Sequence, residues 1–150
     1  MGTRAFVLIA AAVIAGCHAM PRDPDGTLDR VRADRAFAVG LIAPGPSGRP
    51  AERQAALLAR IAKRTGAEPR IEQGAAERLL EKLEDGELDL VVGDLSTDTP
   101  WRGRVTMFRP LAEHVRARHA IALTVAARNG ENAWIALVFE QVDAVMGEGR

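Results

Sequence analysis

The feature that most constrains this chain is the stretch Leu88-Asp89-Leu90-Val91-Val92, set between Gly86 and Gly93. A short, largely apolar run with two β-branched residues and glycine at both ends reads as a strand buried on both faces of a parallel sheet. Such a strand needs cover above and below, so helices have to flank it in the sequence. Directly after it stand Ser96, Thr97, Asp98, Thr99 and Pro100, then Trp101 and Arg102. Hydroxyls, backbone N–H groups and a guanidinium thus gather just past the carboxyl end of a buried strand, where open α/β sheets bind ligands. Thr99 is placed to cap a turn with Pro100 at its first position, leaving N–H groups directed outward toward an anion.

The flanks supply the cover. Residues 36–42 alternate Phe37, Val39 and Leu41 with small residues and are expected as the first strand. Pro50 suits the first position of a helix through Thr65, with Gly66 closing it and Leu57, Leu58, Ile61 and Ala62 along one face. Residues 67–72 are a weaker strand, interrupted by Pro69 and suited to a sheet edge. Residues 75–85 form a second helix, with Ala76, Leu79, Leu80 and Leu83 on its inward stripe. Strand, helix, strand, helix, strand is a βαβαβ unit with parallel pairing and right-handed crossovers.

Beyond these, Thr27 is expected to cap a short helix to Arg35, and residues 104–108 to be extended. Residues 111–118 read as a charged connection and 120–126 as a strand. Asn132 is expected to cap a last helix through Met146, with Ile135, Val138, Phe139, Val142 and Val145 inward. The whole of 27–150 is therefore one three-layer α/β lobe, its mostly parallel central sheet having about five strands.

The chain opens on a targeting segment. Arg4 is followed by an apolar and small-residue run from 5 to 16, too short for a permanent membrane span. That run ends in Ile14-Ala15-Gly16-Cys17, the pattern of a bacterial lipobox. The expectation is a lipoprotein signal peptide over 1–16, with lipid on Cys17 anchoring the protein in the periplasm or cell envelope. The alternative is an ordinary signal peptide cut after Cys17-His18-Ala19. Residues 17–26, with two prolines and a glycine among charges, read as a tether.

Twenty basic and twenty acidic side chains cancel, so no global field recruits nucleic acid. Tyrosine is absent and aromatics make up 4%, which argues against base-stacking platforms and aromatic sugar sites. His18, His114 and His119 with Glu113 show no metal-ligand spacing. Ser96 lacks a nucleophile elbow, and Asp89, Asp94 and Asp98 have no second carboxylate at a diagnostic spacing. No cofactor, metal or enzymatic activity is expected.

The spacing Gly86-x-x-Asp89-x-x-x-Gly93, then Thr99-x-x-Arg102, then Arg104-Val105 and Pro110, resembles the extracellular solute-binding proteins of family 3. These are the polar amino-acid receptors of bacterial ABC importers. Asp98 looks like a one-residue insertion in that pattern, and Leu111 stands where the family has an aromatic. Thr27 to Arg32 followed by Val39-Gly40 is similar to the family's opening, and the strand, Gly130, Asn132 and last helix to the close of its first lobe. The resemblance covers nearly all of 27–150, with a second lobe absent around 113–118.

It implies a periplasmic-binding-protein-like lobe of type II. It also implies that Arg102 clamps a ligand's α-carboxylate, with Thr97 and Thr99 as hydroxyl donors, Ser96 beside them and Trp101 adjoining. A planar guanidinium suits that task, because it meets a carboxylate bidentately and with charge assistance. Without a closing lobe the ligand stays hydrated, and weak binding is expected. The implied partners are a small carboxylate-bearing, amino-acid-like solute and a transport system. The alternative is a docking module for a membrane permease or another envelope protein.

Overall fold

The computed structural model describes residues 23–116 and 119–148, so the signal segment, Cys17 and His18 lie outside the described residues. In chain order the elements are α1 (Thr27–Asp34), β1 (Ala36–Ile42), α2 (Arg49–Thr65), β2 (Glu68–Gly74), α3 (Ala76–Glu84) and β3 (Leu90–Ser96). A 3₁₀ turn (Pro100–Gly103), β4 (Val105–Met107), β5 (Ala112–Arg116), β6 (His119–Arg128) and α4 (Asn132–Gly147) follow.

The sheet runs β2-β1-β3-β6-β4, with β5 also on β6. β1 pairs in parallel with β2 and β3. β6 pairs antiparallel with β3, β4 and β5. Five strands thus share one direction and β6 alone opposes them. Residues 112–116, expected as a charged connection, instead form β5, from Ala112↔Leu123 to Arg116↔His119 on β6. Their apolar signal is thin because this short strand has a partner on one side only. β3 also runs on to Ser96, since its pairing with β6 holds through Ser96↔Ile121.

Period-two alternation divides the core between two faces. Leu90 and Val92 join Leu57, Leu58 and Ile61 of α2 and Trp134, Val138 and Val142 of α4 in the larger cluster. Val91 and Leu95 point the other way, onto Leu79, Leu80 and Leu83 of α3. Helices on both faces of one sheet make the three layers. On α4, Phe139 is 52% exposed rather than inward. The buried face of that helix runs through Trp134, Leu137, Val138, Gln141, Val142 and Val145, and Phe139 lies about 100° round from Val138.

The two expected caps take a different form. Gly26, in a left-handed conformation, precedes α1, and neither Thr27 nor Asn132 caps with its side chain. Asp23 does the work instead. One of its carboxylate oxygens accepts from the Ala133 and Trp134 N–H groups at 2.6 and 3.2 Å, and the other from Leu28 N–H at 2.9 Å. Glu131 reciprocates, accepting from Asp25 and Thr27 N–H groups at 3.1 and 3.0 Å. Residues 23–26, expected as the last part of a tether, are therefore fastened to the start of α4.

Candidate functional site

β1 and β3 lie side by side in parallel, so their carboxyl ends open on the same edge of the sheet. Beyond Ile42 the chain loops through Pro44, Gly45, Pro46 and Ser47 into α2. Pro44 and Pro46 restrict this wall, because the ring fixes φ and removes a donor, and Pro50 stands in the first turn of α2. The loop borders a crevice of about 530 Å³, which Pro50, Asp94, Ala112 and Glu113 also line. By alternation Asp94 stands on the same strand face as Leu90 and Val92, which is the face that α2 covers. The crevice is thus a proline-rich wall opposite a strand bearing a carboxylate, with Glu113 contributed by the start of β5.

The loop from Ser96 to Arg102 leaves β3 two residues past Asp94. Its geometry is set locally. Ser96 Oγ accepts from Asp98 N–H at 3.3 Å, and Thr99 N–H donates to the Ser96 carbonyl at 3.2 Å. Thr97 N–H donates to the Ala120 carbonyl at 3.1 Å, tying the loop to β6. Thr99 caps the 3₁₀ turn as expected, its Oγ1 accepting from Trp101 N–H at 3.4 Å. Arg102 folds back over the loop and donates through Nη2 to the Thr97 carbonyl at 2.8 Å.

Among the expected site residues, Ser96, Thr97, Thr99 and Arg102 therefore come together in one small loop. Trp101 parts from them. It is buried in the α3-side core, and the Arg104 guanidinium lies 4.2 Å from its ring centroid. The hydrogen bonds Arg104 donates to the Glu84 carboxylate, with that group's negative charge, hold Arg104 above the ordinary arginine value, outweighing the opposing loss of hydration. None of the five lines the 530 Å³ crevice. The sequence reading passed over Asp94 and Glu113 as site residues. No local pattern signals them, because Asp94, Glu113 and the loop after β1 meet only in the folded chain.

At the opposite edge of the sheet, the pattern's aspartate has a structural job. Asp89 is 4% exposed, pairs with Arg30 and accepts from Ala38 N–H at 2.8 Å. Its own carbonyl accepts from Trp134 Nε1 at 2.8 Å. This single residue ties α1, β1 and α4 to the start of β3. No group of three or more His, Cys, Asp or Glu among the described residues is arranged to hold a metal ion.

No family model and no curated protein matches this chain. Solved structures do. The arginine-bound form of domain 1 from TmArgBP is 16% identical, with a TM-score of 0.62, covering 77% of this chain and 98% of that one. An amino acid ABC transporter substrate-binding protein from Streptococcus pneumoniae, bound to L-arginine, is 11% identical with a TM-score of 0.66 over 82% and 93% of the two chains. An ancestral cationic amino acid solute binding protein is 12% identical with a TM-score of 0.63 over 82% and 95%. At such identities the likeness is one of fold: this chain folds as a single α/β lobe of the kind found in amino-acid solute-binding proteins.

Proposed function

We propose that this protein is a lipid-anchored, substrate-binding-like lobe of the periplasm that recognises a small amino-acid-like solute for a transport system. The observation that carries the reading is the open crevice of about 530 Å³ at the carboxyl edge of the sheet, beside the Ser96–Arg102 loop. In open α/β sheets this edge is where ligands sit. The solute's carboxylate meets the exposed Arg102 guanidinium, which spends one Nη2 hydrogen on the Thr97 carbonyl and keeps its other N–H donors for the ligand. Ser96, Thr97 and Thr99 offer hydroxyls around it. An ammonium or basic side chain then points toward the crevice, where Asp94 and Glu113 provide negative charge.

The similar structures support this reading in two ways. They are described as binding proteins rather than enzymes, and one of them is a lone domain with arginine bound. Both points favour a binding role without covalent chemistry.

The test is ligand-observed NMR with the full-length chain against amino acids and dicarboxylates. Binding of a carboxylate-bearing amino acid is expected with a dissociation constant on the order of 0.1–1 mM. Arg102→Ala removes most of it, and Arg102→Lys does not restore it, because an ammonium lacks the fork. Silence across the panel, or an Arg102→Ala protein that binds like the parent, refutes the proposal.

A further inference from the structure

Away from the carboxyl edge of the sheet, the last turns of α2 and the middle of α4 enclose a second recess of about 310 Å³. It is lined by Arg60, Lys63, Arg64 and Gln141. The charge is opposite to that of the crevice: three cations and no carboxylate. Basic residues in a last helical turn complement the helix dipole, and that alone does not make a site. Two further observations concern the donors. Gln141 is 8% exposed, yet its amide has no hydrogen-bond partner among the described residues. That amide is open to water at the recess, where a bound molecule can take the water's place. Arg60 Nε is enclosed and without a partner, while Nη1 is held by Glu148 at 2.7 Å.

Charge then selects the class of ligand. Glu148 compensates Arg60, whereas Lys63 and Arg64 make no ion pair among the described residues. Two uncompensated cations, an enclosed guanidinium Nε–H and the Gln141 amide line one recess. A carboxylate would occupy two oxygens and cancel one charge. A phosphate group has more acceptor oxygens and, as a monoester or free ion, about −1.5 to −2 charge near neutral pH. We propose that this recess on the α2–α4 flank is a phosphate-binding site, separate from the solute crevice. The phosphate can come from an anionic lipid headgroup beneath the anchored protein or from a free phosphate in solution; the same donors serve both.

The full-length chain in a nonionic, phosphate-free detergent distinguishes the sources by ¹H–¹⁵N NMR. Inorganic phosphate, glycerophosphoglycerol (the soluble diester of a lipid headgroup) and sodium chloride at matched ionic strength are titrated in turn. Saturable movement of the Gln141 side-chain amide is expected with one of the two phosphates, with a dissociation constant on the order of 1 mM. Lys63 and Arg64 are exposed, so Lys63→Gln with Arg64→Gln leaves the fold intact and weakens binding about tenfold or more. Gln141→Leu, checked for an unchanged melt, weakens it as well. Preference for glycerophosphoglycerol assigns the site to lipid headgroups, and preference for inorganic phosphate to soluble phosphate. Shifts that sodium chloride reproduces, no saturation by about 20 mM, or unchanged affinity in the double variant overturns the proposal.

Discussion

At Gly93 of β3 there is no room for a side chain beside β1. A Cβ built there collides with the Ile42 side chain and lies 3.1 Å from Ile42 Cα, which cannot swing away as a flexible side chain would. Gly93→Ala should therefore cost about 1–3 kcal/mol by overpacking. Urea unfolding with an unchanged m-value measures it, and a loss below about 0.5 kcal/mol would show that the two strands separate freely. Gly86 is fixed differently, by a φ of 79° and by the Arg128 guanidinium occupying the place of a side chain. Both glycines, and Asp89 between them, were legible as a spacing. Their reasons were not, because Ile42, Arg128, Arg30 and Ala38 reach them only through the tertiary fold. Asp94 and Glu113 escaped notice for the same reason: a crevice wall is made by three segments that the sequence keeps far apart.

Elements were legible wherever one period dominated. α2 and α3 carry apolar residues on one stripe, so their inward faces followed from the 3.6-residue repeat. α4 is apolar nearly all round, which leaves its face ambiguous and explains the outward Phe139. Its beginning is the more informative case. Asp23 and Glu131 exchange caps across more than a hundred residues, and no local pattern of Ser, Thr or Asn announces such a device. Removing Asp23 strands three N–H groups, so Asp23→Ala should cost about 1–2 kcal/mol. Because the two acids fasten the same junction, a double-mutant cycle of Asp23→Ala with Glu131→Gln should show a coupling above about 0.5 kcal/mol. Additive losses would mean that the two helix starts are stabilised independently.

On the scale of the whole molecule, the lobe was readable from the βαβαβ order, and the weak binding proposed above is argued from the openness of that lobe. A solute in the 530 Å³ crevice meets one wall of protein and water on the other side. The proposed Arg102 contact would be made at high effective dielectric, where an exposed ion pair contributes about 1 kcal/mol or less. Linkage turns this into a thermal signal. For a dissociation constant of roughly 0.5 mM, ~10 mM solute stabilises the native state by RT ln(1 + [L]/Kd), or about 1.8 kcal/mol. In a domain of this size that raises Tm by about 5–8 °C, and each further tenfold of solute adds about 1.4 kcal/mol. The shape should not respond. Among the described residues all six strands belong to one sheet, so small-angle scattering should give the same radius of gyration with and without saturating solute. The full-length chain under calorimetry and scattering, with the best solute from the NMR panel, checks both expectations together. Micromolar affinity with a contracting radius would mean that a second surface folds over the crevice, and the open-lobe account of this protein would have to be abandoned.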